Sequence, residues 1–183
     1  ENMISFKYDN AGSFVEGFAP VSLNGKWGYI DKLGNEIIPL KYDMVYLFSE
    51  GMGEVMLNCK WGYIDEFGRG KTPLRYDFTL PFNEGLAPVE LNGKWGYIDK
   101  TGEEVISLRY DDEGSGMVHG FNEGLAIVFT AEVYQGQESF GYGYIDKTGR
   151  EIIPLKYDYA EPFSEGLAIV MLNGRRGILK NPL

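Results

Sequence analysis

The chain has 183 residues, a net charge of −10 and a sequence pI of about 4.6. That length suits one domain spanning residues 1–183, and so acidic a chain is expected to have no nucleic-acid partner, because phosphate binding needs clustered Lys and Arg. No run of about 18 apolar residues is present, so membrane insertion through an apolar helix is not expected, and the single cysteine, Cys59, excludes an internal disulfide framework and a cysteine-based metal site.

In chain order, residues 4–8 read as the last strand of an incomplete unit. The first complete unit starts at Phe18–Leu23, which reads as its first strand. Asn24-Gly25 follows, a strong hairpin signal because a type I′ turn needs positive φ at both central residues. Lys26–Asp31 is the second strand, and Asp31 with Gly34 marks a type I turn. Glu36–Tyr42 is the third strand, where Pro39 removes a ladder donor and predicts an edge position or a bulge. Trp27 and Tyr29 share one face of the second strand, while Gly28 and Ile30 share the other. Gly28 is expected to let another backbone or a ring approach closely.

This unit recurs. Tyr42-Asp43 has counterparts at Tyr8-Asp9, Tyr76-Asp77, Tyr110-Asp111 and Tyr157-Asp158, at intervals of 34, 34, 34 and 47 residues. The Phe-x-Glu-Gly run places glycines at Gly17, Gly51, Gly85, Gly124 and Gly166, and the second strand places them at Gly28, Gly62, Gly96, Gly143 and Gly177. Three series in agreement predict an all-β repeat protein of three-stranded antiparallel β-meander units. Third strands are expected near residues 3–9, 37–43, 71–77, 105–111 and 152–158. The preferred arrangement is an open superhelical or solenoid array; the alternative is a five-bladed β-propeller closed by the N-terminal strand. The long interval predicts insertions within residues 111–120 and 131–141. The second is expected to lengthen a hairpin by four residues per arm around residues 135–138, an even extension that keeps every side chain on its face.

The Lys-Trp-Gly-Tyr-Ile-Asp segments starting at Lys26, Lys60 and Lys94, with the Phe-x-Glu-Gly-Leu-Ala and Ile-Ile-Pro-x-x-Tyr-Asp segments, resemble WG (KWG) repeats. The resemblance covers nearly the whole chain. It implies a mostly bacterial, β-rich scaffold that mediates interactions, with no catalytic residues to carry over. The fourth copy departs from the pattern with Tyr142 in place of Trp. The fifth has Arg176, Ile178 and Lys180 in place of Trp, Tyr and Asp, which suits a terminal cap.

The candidate ligand-binding residues are the aromatics Trp27, Tyr29, Trp61, Tyr63, Trp95, Tyr97, Tyr134 and Tyr142, with Tyr144 continuing the series. Such rings stack on sugars or anchor proteins, and at strand spacing they also build cores. The repeated carboxylates Glu16, Glu50, Glu84, Glu123 and Glu165, and Asp9, Asp43, Asp77, Asp111 and Asp158, are expected to satisfy backbone donors, because catalysis needs one asymmetric site. His119, the single histidine, reads as a loop residue. No metal, cofactor or catalytic residue is expected. The favoured function is a non-catalytic scaffold for a protein partner; a glycan or cell-wall module is the alternative, and a hydrolase a remote third. The start at Glu1 suggests a processed or excised N-terminus, and the sequence does not indicate a compartment.

Overall fold

The computed structural model describes residues 7–111, 118–134 and 137–183, with side chains outside 132–140. No described residue is helical. The chain forms five antiparallel sheets of three or four strands, none closed into a barrel, as a repeat of β-meander units requires.

By Cα proximity the chain divides into two compact units, residues 1–81 with 100–102, and residues 82–99 with 103–183. In the first, β1 (Asn10–Ala11), β2 (Phe18–Leu23), β3 (Lys26–Asp31) and β4 (Glu36–Tyr42) make one sheet. A second sheet is β5 (Met44–Val45), β6 (Met52–Leu57) and β7 (Lys60–Asp65), and β8 (Phe78–Thr79) follows. In the second unit, β9 (Leu86–Leu91), β10 (Lys94–Asp99) and β11 (Glu104–Tyr110) lie side by side. They are followed by a sheet of β12 (Leu125–Tyr134), β13 (Gln137–Asp146) and β14 (Glu151–Tyr157), then one of β15 (Tyr159–Ala160), β16 (Leu167–Leu172) and β17 (Arg175–Lys180).

The expected turns form. Asn24 and Gly25 have φ of 52° and 73°, the type I′ pair. Cys59 is held at φ 60° where three other copies have glycine, and it is exposed. The Gly34 amide donates to the Asp31 carbonyl at 3.0 Å, closing the type I turn. The Phe-x-Glu-Gly run, read in the sequence only as a connection, is also a tight hairpin turn. Val15 bridges Phe18 around Glu16 and Gly17, whose φ values are 52° and 93°.

Pro39 lies at a bulge on an edge strand, as expected. Trp27 pairs with Tyr42 but Tyr29 pairs with Ile38, so extra residues are accommodated on β4. That bulge presses onto Gly28: a Cβ there would stand 2.3 Å from the Ile38 carbonyl oxygen. The close partner is therefore backbone. Gly96 and Gly143 repeat the arrangement, with carbonyl oxygens at 2.5 and 2.6 Å.

Two expectations about the strands need correction. Residues 71–77 were expected to form a third strand, but this stretch has only isolated bridges, Ile64 to Gly70 and Trp61 to Tyr76. Gly70, Lys71 and Thr72 replace the Glu-Ile-Ile of the first copy, and the Thr72 hydroxyl accepts the Tyr63 amide at 2.9 Å, competing with the ladder. Residues 7–9 are not in a strand either, and the rest of the expected strand near 3–9 lies outside the described residues. The sequence also gave no sign of the two-residue strands β1, β5 and β15, which pair with the first long strand of their sheets.

The fourth copy lengthens as predicted. β12 and β13 have ten residues each against six in the other copies, so each arm gains four. Pairing continues to Tyr134 and Gln137, inside the expected turn. Of the other insertion, residues 112–117 lie outside the described residues.

Candidate functional site

The repeated motif residues are used in holding each copy together and to the next. The Lys26 ammonium pairs with Asp43 at 2.6 Å, Lys94 with Asp111 at 2.5 Å, and Lys60 with Asp77. The other oxygen of Asp43 accepts the Asn58 amide at 2.7 Å, capping the following hairpin turn, and Asp9 does the same for Asn24. The glutamates bridge copies: Glu16 accepts the Glu50 and Gly51 amides, both at 2.8 Å, and Glu123 accepts Gly166 at 2.9 Å. These carboxylates satisfy backbone donors, as the sequence suggested.

The aromatic series is interior. Tyr29, Tyr63, Tyr97 and Tyr144 are fully buried, and each hydroxyl donates to a backbone carbonyl two residues before the next Phe-x-Glu-Gly run. The acceptors are Tyr46, Leu80, His119 and Glu161, at 2.5, 2.7, 3.0 and 2.8 Å. His119 thus stands where Tyr46 and Leu80 stand in earlier copies. It is half-buried, and burial lowers its pKa. Trp61 and Trp95 are 5% and 4% exposed and Tyr142 is also buried, so none of these rings offers an open face for sugar stacking. Trp27 is half-buried. The Tyr134 side chain lies outside the described residues.

What the sequence reading missed is a cavity in the second copy. Glu54, at the centre of β6, is 2% exposed. Its register partner is Tyr63, and at the same place in the other copies stand Pro20, Pro88, Ile127 and Ile169. A carboxyl thus occupies an apolar inward position. Thr79 donates to its Oε2 at 2.8 Å, while Oε1 has no partner among the described residues. Burial pushes its pKa up to about 7, against the weaker lowering by the Thr79 hydrogen bond.

Glu54 borders a cavity of about 310 Å³ lined by Tyr46, Leu47, Phe78, Thr79, Leu80 and Pro81. Tyr46, Leu47 and Phe78 are exposed at its rim. The Tyr46 ring stacks on buried Trp61 at 5.0 Å and 9°, and Phe78 lies 6.4 Å from Trp61 on a tilted plane. The tryptophan therefore supports two exposed aromatics rather than acting as the exposed ring itself. A position-by-position comparison of copies would have flagged Glu54, but no periodicity would.

The family described as "WG containing repeat" matches residues 1–27, 27–61, 61–95, 95–132 and 142–175. The chain belongs to the WG repeat family. No curated protein matches this WG repeat chain. Among solved structures it is similar to a protein of unknown function from Bacteroides caccae, at 10% identity and a TM-score of 0.36, covering 93% of this chain and 77% of that one.

Proposed function

We propose that this WG repeat chain is a non-catalytic scaffold that binds a protein segment in the apolar cavity of its second copy. The segment inserts an apolar side chain between Tyr46, Leu47 and Phe78 and carries a basic group beside it. The observation behind this reading is the exposed aromatic rim over a cavity bordered by a buried carboxyl, on a chain of net charge −10. Concave apolar sites with a few polar groups are where ligands anchor, and rim aromatics of this kind dominate binding energy. The structural employment of the repeated carboxylates supports the non-catalytic part of the reading.

Selection of displayed random peptides on the full chain tests it. Enrichment of an apolar residue beside Lys or Arg is expected, with affinity falling at least about tenfold in Phe78→Ser, a typical loss for an anchor residue. Selected peptides that bind Phe78→Ser and Tyr46→Ser as well as they bind the parent would refute the site. Binding of oligosaccharides but no peptide would refute the partner class.

A further inference from the structure

A surface left open in the fifth copy matches one left open in the first. Copy-to-copy contacts within each unit show what covers such a surface. Phe48 packs on Tyr29 and Phe18 at 4.9 and 4.6 Å, Phe121 on Tyr97 at 5.0 Å, and Phe163 on Tyr144 at 4.9 Å. In each case the phenylalanine of one Phe-x-Glu-Gly turn covers the tyrosine of the preceding copy. The same turn donates its backbone amides to the preceding glutamate, as Gly51 does to Glu16 and Gly166 to Glu123. A lysine adds to the junction: Lys100 pairs with Glu50 and Lys147 with Glu84, both at 3.0 Å.

The fifth copy presents the receiving half of this junction uncovered by any described phenylalanine or glycine-turn amide. Ile178 replaces the buried tyrosine and is 71% exposed, and Leu167, the counterpart of Phe18, is exposed beside it. No described residue donates to the Glu165 carboxylate. This face was expected to be a water-tolerant cap, and on it Ile178 and Leu167 are exposed apolar residues beside the exposed Arg176 and Lys180. The first copy presents the inserting half. Phe14, the counterpart of the buried Phe48, Phe121 and Phe163, is 41% exposed. The Glu16 and Gly17 amides have no acceptor among the described residues. Lys32, at the position of Lys100 and Lys147, is exposed.

We propose that two copies of this chain associate head to tail. Phe14 of one molecule covers Ile178 and Leu167 of the other, its Glu16 and Gly17 amides donate to Glu165, and its Lys32 pairs with the same carboxylate. The contact reproduces the junction between copies inside one chain. Because it joins different surfaces, the association is heterologous and extends beyond two molecules unless it closes into a ring. It uses residues distinct from the Glu54 cavity and stands or falls separately from peptide binding there.

Sedimentation of the full 183-residue chain over a wide concentration range tests the proposal. The expected result is a mass that rises with concentration, and Phe14→Ser and Ile178→Glu each lower the association constant at least about tenfold, as loss of a central apolar contact does. Circular dichroism confirms that both variants remain folded. Mixing them restores one junction, so the mixture forms dimers and nothing larger. A chain that stays monomeric throughout overturns the proposal, as does association that neither variant weakens or a mixture that fails to dimerise.

Discussion

At the residue scale, Glu54 ties the candidate site to a measurable property. Its carboxyl has a pKa near 7 in the fold against an ordinary 4.5, so the folded state binds a proton that the unfolded chain releases between those values. This contribution to stability is fully present below pH 4.5 and is lost as pH rises through 7. The difference amounts to about 3 kcal/mol, at about 1.4 kcal/mol per pH unit. Urea unfolding at pH 5 and pH 8 should show this loss in the parent chain and little of it in Glu54→Gln, whose amide cannot ionise. A parent chain equally stable at both values would contradict the burial argument. Asp31 and Asp43 act in the opposite direction. The Asn35 and Lys26 side chains, respectively, hold their carboxyls low, so their contribution disappears only as pH falls below the ordinary carboxylate range. The motif glycines make a second residue-scale case. Gly96→Ala drives a Cβ into the Ile106 carbonyl at 2.5 Å and should cost about 2 kcal/mol or more, within the range for overpacking. Gly177→Ala meets nothing nearer than Val170 at 4.0 Å and should change stability by under about 0.5 kcal/mol. Thermal unfolding of the two variants makes the comparison.

At the element scale, the second strand explains both what could be read from the sequence and what could not. Asn-Gly turns, the Pro39 bulge and the close approach at Gly28 follow from local geometry and were legible. The orientation of the aromatics was not, because Tyr29 and Ile30 are both buried and a strand covered on both faces carries no alternation to read. Two-residue strands such as Met44–Val45 are too short to have a period. The missing third strand of the second copy was masked by Pro73 and Tyr76, which keep the motif's spacing while Lys71 and Thr72 replace its two apolar isoleucines with a cation and a hydroxyl. The long hairpin gives the prediction at this scale. Replacing residues 131–140 with Asn-Gly leaves six-residue arms like those of β2 and β3, and the new turn amide replaces the Ala131 amide that Asp111 accepts at 3.0 Å. The shortened chain should fold with a midpoint temperature within about 4 °C of the parent, the shift that about 1 kcal/mol produces at this size. Failure to fold would show that the extended arms are structural.

At the scale of the whole molecule, repetition places almost identical packing in every copy, so differences between copies stand out as differences in exposure. Arg175–Lys180 is mostly exposed, while Lys60–Asp65 is almost wholly buried. Opening β17 therefore breaks fewer apolar contacts, and in hydrogen exchange its amides should exchange well before those of β7. Equal protection in dilute solution would mean that something covers the fifth copy even there. The glutamate junctions also tolerate changes in length between their partners. Glu16 reaches Gly51 across 35 positions, Glu84 reaches Gly124 across 40, and Glu123 reaches Gly166 across 43. The extra residues of the fourth copy fall between Glu84 and Gly124 and between Glu123 and Gly166, and both pairs still meet. The junctions thus constrain where residues can be added rather than how many. A whole block added or removed between two junctions would therefore leave the seams on either side able to re-form.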